Sequence, residues 1–212
     1  MPFTAKSWVD GVFPNGLLNA AAMIDMENRL SAYSDSVVPS LAIPTDLGLL
    51  GMSHDTAPSS TGTVLPTAGL VNVTRIYLRA SVSITNVCLI VGTAGVTLTA
   101  GQNFAALFQG TTLLGVTADQ ATNWQSTGYK VMALTGGPFV ASVGSVVVAW
   151  YANGSTLPGF IRGASTSSYV LNFGLNAANS RYGTADAGRT TTMPSPLGTI
   201  TATGTSYWAG VS

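Results

Sequence analysis

Few of the 212 residues are of kinds that do chemistry, and their spacing scatters them. The single histidine, His54, stands beside Asp55, so a Ser-His-Asp triad or a histidine base would have to be built on it. Its surroundings are rich in Pro, Gly and small polar residues, and no nucleophile or second ligand is in view. His54 is therefore expected to be a solvated residue. The chain contains neither a Gly-x-Ser-x-Gly elbow nor a phosphate-cradling Gly-Lys-Ser/Thr. Paired carboxylates for glycoside hydrolysis would have to come from Asp119 and Asp186, the two acids of the C-terminal three-quarters. Both sit in turn-like contexts, Thr117-Ala118-Asp119-Gln120 and Ala185-Asp186-Ala187-Gly188. Cys88 is alone, which excludes an internal disulfide and a multi-cysteine metal site. Lying in the apolar run Val87–Val91, it is expected to be buried and inert. The reading is non-enzymatic, with no catalytic set, no metal and no cofactor.

Aromatic side chains are the better candidates for function. Sugar-binding proteins stack saccharide rings on aromatic faces, helped by a few amides and hydroxyls. Trp124, in the polar turn Thr122-Asn123-Trp124-Gln125, is expected to be exposed, and with Tyr129 and Tyr182 it is the candidate for glycan contact. Trp150 and Trp208 are expected to pack in the core or between subunits.

Charge is scarce, 8% of residues against about a quarter in an average domain. Ser and Thr, 48 together, take its place, and 46% of residues are hydrophobic, so the chain is not a disordered polyampholyte. Residues 1–60 hold six acids and two bases, and residues 61–212 hold two acids and six bases. Six bases over so long a stretch form no stripe for nucleic acid. The N-terminus lacks the apolar run of a signal peptide. The longest apolar interval, Val37 to Met52, is broken by Pro39, Pro44 and Asp46, so no membrane span is expected.

The elements that would position these residues fall into three regions. Residues 1–33 begin with an aromatic lead-in carrying Trp8 and Phe13, followed by the turn residues Pro14-Asn15-Gly16. Asn19 is a good N-cap for a helix over Ala20 to Ala32, on which Met23, Met26, Leu30 and Tyr33 form one stripe. A helix of that length is marginal alone, so it must dock on something. Residues 34–62 alternate short apolar runs with Pro39, Pro44, Gly48, Gly51 and Pro58, and read as an extended linker. Residues 63–212 read as many short strands, among them Thr74–Arg79 with apolar groups in and charge out, Tyr129–Leu134 and Ser145–Ala152. Gly110-Thr111-Thr112 and Asn153-Gly154 are expected hairpin turns, and Tyr169–Phe173 a further strand. The expected fold is mainly β: an antiparallel β-sandwich of jelly-roll type, preceded by a short helix and a linker.

Trp8, Gly11, Pro14, Leu18-Asn19-Ala20-Ala21, Met26 and Glu27 match a pattern found at the N-terminus of certain virion proteins. That stretch resembles the attachment segment of minor tail and tail-fibre proteins of tailed bacteriophages. Pro66-Thr67-Ala68-Gly69, Leu98 to Phe104, Thr117 to Gln120, Arg181 to Asp186 and Gly204 to Ala209 are similar to segments of β-sandwich virion proteins from phages of actinobacteria. The resemblance implies a trimeric structural protein of the virion, its N-terminus fixed to the particle and its sandwich outward; the expectation drawn here is a tail-associated protein assembled in the host cytoplasm. Anchoring to other virion proteins is expected through the matching Trp8, Gly11, Pro14, Leu18, Asn19 and Met26 together with the apolar Phe13, Met23 and Leu30 of the same stretch, and the aromatic candidates make host-surface glycan the expected ligand of the sandwich. A capsid fibre or decoration protein is the alternative.

Overall fold

The computed structural model describes residues 42–65 and 67–212, with the backbone alone at residues 63 and 64. The expected helix, the anchoring residues of 1–33 and the first part of the expected linker lie outside the described residues. Among the described residues strand outweighs helix, 46% to 8%, and the sheets are antiparallel, so this part of the chain is mainly β.

One sheet has seven strands: β1 (Gly51–Met52), β2 (Ser60–Val64), β5 (Asn86–Thr93), β9 (Gly128–Ala133), β13 (Gly159–Ser165), β16 (Thr205–Tyr207) and β17 (Gly210–Val211). A six-stranded sheet contains β3 (Val71–Leu78), β7 (Phe104–Gln109), β8 (Thr112–Val116), β11 (Gly144–Tyr151), β14 (Tyr182–Ala185) and β15 (Thr201–Ala202). Its spatial order is β15-β14-β3-β11-β7-β8. Two small pairs complete the set, β4 (Val82–Ile84) with β10 (Phe139–Ala141) and β6 (Val96–Leu98) with β12 (Gly154–Thr156).

Alternation along the strands divides the apolar groups among three clusters. Ile76, Leu78, Leu107, Val146, Val148 and Trp150 of the six-stranded sheet meet Val87, Leu89, Val91, Met132 and Phe160 of the seven-stranded one in the main core. The other face of the six-stranded sheet carries Val73, Phe108, Val147 and Tyr151, covered by Met193, Leu197 and Ile200. On the other face of the seven-stranded sheet, Cys88 packs with Leu49 and Trp208. Because β5 and β11 each have neighbours on both edges and apolar cover on both faces, their sequences read as nearly continuous apolar runs. Each fully buried large side chain here contributes about 1.5–3 kcal/mol.

The expected hairpin at Gly110 is present: β7 and β8 pair across it, and Gly110 takes φ +62°, where a side chain would be strained. Four expectations are corrected. First, residues 42–62 are not an extended linker where they are described. Pro44–Leu47 forms a 3-10 turn closed by Gly48, Leu49 is buried, and β1 pairs with β17 through Gly51 and Val211. A side chain at Gly51 would meet Ile76 at 2.9 Å, so this glycine marks close packing rather than flexibility. Second, Asn153-Gly154 does not turn a hairpin. The Asn153 amide donates to the carbonyls of Gln102 and Arg189, and the chain crosses so that β12 pairs with β6. Third, Tyr169–Phe173 is no strand, because a four-residue helix α1 (Ser168–Leu171) occupies it. Fourth, Arg75 does not point outward to solvent. It is 6% exposed, donating to the carbonyls of Ser180 (3.2 Å) and Ala178 (2.6 Å) and to the Ser145 hydroxyl (2.9 Å).

Candidate functional site

A cleft of about 280 Å³ opens on the outer face of the seven-stranded sheet, lined by Leu47, Leu49, Thr56, Ile90, Tyr129 and Trp208. Three elements build it. The β9 alternation turns Lys130 and Met132 inward and leaves Tyr129 and Val131 outside, opposite Ile90 and Cys88 of β5. Residues 44–56 supply Leu47, Leu49 and Thr56. The chain between β16 and β17 places Trp208 at the floor, 1% exposed, with its indole N–H donating to the His54 carbonyl at 2.9 Å. The Tyr129 ring meets Trp208 edge to face at 5.9 Å and keeps 49% of its surface in solvent.

Electrically the cleft is neutral. Burial, together with the neighbouring Cys88, holds the Tyr129 hydroxyl well above the usual phenol range. Burial also raises the Cys88 thiol, against the lowering effect of its hydrogen bonds to Tyr129 and Ser212. Neither group ionises near neutral pH, so the walls offer a ring, aliphatic groups and hydroxyls but no base or nucleophile. Stacking and hydrogen bonding are the chemistry such a surface supports.

The three aromatic residues expected to contact glycan are not brought together. Tyr129 is at the cleft. Trp124 is 0% exposed: the 3-10 turn Asn123–Gln125 rotates its ring inward, edge to face against Phe160 at 5.3 Å, while its polar neighbours stay out. Tyr182 is 3% exposed, beneath the Arg181 guanidinium and beside His54. Neither of these two rings presents a stacking face to solvent.

His54, expected in a mobile linker, is half-buried. Its Nδ1 lies 3.0 Å from the Ser53 hydroxyl and 3.4 Å from the Tyr182 hydroxyl. Arg181 donates to the Ser53 carbonyl and to the Tyr182 hydroxyl. Burial is the main cause that lowers the His54 pKa; Arg181 adds to it and Asp55 opposes it. Ser53, 8% exposed, also accepts from the Ala209 N–H at 3.1 Å.

Asp119 and Asp186 serve separate loops. Asp119 accepts from the N–H groups of Gly101 and Asn103, and Asp186 from the N–H of Gly198 and from Arg189. Among the described residues no three His, Cys, Asp or Glu side chains gather as metal ligands, and no helix is long and apolar enough to cross a membrane.

Sequence reasoning missed a second exposed surface. Around α1, Tyr169 (73%), Val170 (52%), Phe173 (86%) and Leu175 (36%) stand in solvent. The available signal was the absence of any charge from Gly163 to Ser180, a stretch rich in Ser and Asn between Arg162 and Arg181. Compared with known proteins, the chain matches no protein-family model and no curated sequence.

Proposed function

We propose that this chain is a non-enzymatic structural protein of a bacteriophage virion, tail-associated and trimeric. In this reading its two main sheets form a β-sandwich of jelly-roll type that is displayed for adhesion to host-surface glycans. Residues 1–33 anchor it to other virion proteins, with Trp8, Phe13, Met23, Met26 and Leu30 as the apolar contacts. The observation that carries the adhesive part is the neutral cleft with the half-exposed Tyr129 ring over Trp208, next to hydroxyl donors and acceptors. An uncharged pyranose presents an apolar face for such a ring and hydroxyls for Thr56 and the Tyr129 oxygen.

Calorimetric titration with neutral host-envelope polysaccharide tests the reading. Saturable binding is expected, and Tyr129→Ala weakens it by about tenfold or more, the loss typical of a stacking ring. Binding that Tyr129→Ala leaves untouched would remove the cleft from the account.

A second reading, a capsid fibre or decoration protein without a receptor, is favoured by the apolar groups around α1, which suit burial against other subunits better than sugar. Immuno-electron microscopy separates the two by placing the protein on the tail or on the head.

A further inference from the structure

Residues 50–56 join Leu49 of the cleft to its Thr56, and His54 ties them to the sheet. Leu50 donates to the Val211 carbonyl, Ser53 to that of Ala209, and the His54 carbonyl accepts from the Trp208 indole at 2.9 Å. The imidazole is packed so closely on β13 that a side chain at Gly163 would meet its Nε2 at 2.8 Å. Nε2 is buried and has no partner among the described residues. At the other edge of the ring, Nδ1 faces the hydroxyls of Ser53 (3.0 Å) and Tyr182 (3.4 Å), which also hydrogen-bond each other. Each oxygen already receives an N–H, from Ala209 on Ser53 and from Arg181 on Tyr182.

The hydrogen count fixes the state of the ring. With Nδ1 bare, the two hydroxyl hydrogens find acceptors in Nδ1 and the neighbouring oxygen, and the ring proton sits on Nε2. With Nδ1 protonated, three hydrogens compete for the one lone pair left on each of two oxygens, and one hydrogen is stranded. An imidazolium would also press a charged Nε2–H against β13 without an acceptor, at the cost of a buried, unpaired charged donor. Arg181 opposes a charge on the ring more strongly than Asp55 favours it. Arg162 and Tyr207, the titratable groups of β13 and β16, act on each other. We infer that His54 is a proton-operated latch on the cleft: with a proton on both nitrogens the ring leaves its pocket, and residues 50–56 come away from Trp208. The inference concerns the cleft of the function proposed above, but it stands on the latch geometry and not on what the cleft binds. Ring and carbonyl belong to one residue, so exit of the ring pulls on the bond that seats the Trp208 indole and carries Thr56 with it. Linkage sets the sign: the ring's pKa is lower with the latch closed than open, so the latch holds above pH 6.5 and weakens as pH falls from there.

As the only histidine, His54 gives NMR signals free of overlap. In the full-length protein at pH 7.5, the ring nitrogen shifts are expected to show the Nε2–H tautomer, and the ring to titrate below 6.5. Amide hydrogen exchange, corrected for its intrinsic pH dependence, is read at pH 7.5 and pH 5. The Ser53 and Ala209 amides are expected to be less protected than those of β11 at both values, because residues 50–56 open on their own. Their protection is expected to fall in acid by up to about tenfold for each unit between the closed and open pKa. His54→Gln, neutral throughout, is expected to remove most of that fall. Arg181→Gln, which keeps an N–H donor, is expected to move the ring titration to higher pH and shrink the fall, and it decides independently of whether His54→Gln folds. An Nδ1–H tautomer, a ring titrating at or above 6.5, or a fall undiminished in the variants would overturn the latch. So would protection equal to that of β11, since residues 50–56 would then open only with the whole molecule. No polysaccharide enters these measurements, so a cleft that binds no glycan would remove the adhesive reading and leave the latch standing.

Discussion

His54 shows how much one residue's meaning depends on what the chain folds over it. In sequence it is a lone imidazole among turn-formers, and nothing in its neighbours announces Tyr182 or Arg181, both more than a hundred residues away. Its pKa is lowered from the ordinary 6.5, first by burial and then by the Arg181 charge. As pH falls, the unfolded chain therefore takes up the proton before the folded one does. The stabilising contribution is complete above pH 6.5 and is lost as pH drops from there through the lower folded value. Urea unfolding at pH 7.5 and pH 5 should show a lower midpoint in acid, and His54→Gln should shrink that difference. An equal difference in the variant would assign the acid sensitivity to other groups. Trp124 and Arg75 were misread for a related reason. Polar neighbours and two-residue alternation describe the local chain, whereas a 3-10 turn and a loop folded over β3 decide where those side chains end.

Elements were most legible where local chemistry and tertiary need agree. β11 is apolar because both its faces are covered, and β7–β8 turns at a glycine because φ there is positive. They were least legible where the same residues serve two purposes. Pro and Gly over residues 42–62 read as linker, yet here they end short elements that lie tightly along the sheet. Leu50 donates to the Val211 carbonyl, Ser53 to that of Ala209, and Leu49 is buried over Cys88. A chain starting at residue 43 should therefore match the full-length protein in the stability of its β-structure. One starting at residue 58 should lose at least about 3 kcal/mol, from the burial of Leu49 and several hydrogen bonds. Chemical denaturation of the two truncations checks this, and equal midpoints would restore the linker reading. The helix α1 was missed because Tyr169, Val170 and Phe173 have strand-like propensities, while the bonds that fix the segment come from Asn172, outside any periodic pattern.

At the scale of the molecule, composition already pointed to a mainly β chain: few charges, many hydroxyls and short apolar runs between glycines. Which rings would face solvent was not legible, since that depends on pairings far apart in sequence. The proposed division of labour makes a clear demand on the whole chain. Deleting residues 1–33 should leave a folded β-structure that is no longer incorporated into particles, measured by immunoblotting purified virions. Incorporation of the truncated chain would end the anchoring role of that segment. The cover over the outer sheet face also has a redox meaning. Cys88, at 0% exposure and packed with Leu49 and Trp208, meets an oxidant or a foreign disulfide only when that cover opens. Aged in air, the protein should keep one titratable thiol per chain, and the rate at which that thiol disappears would time the lifting of the cover.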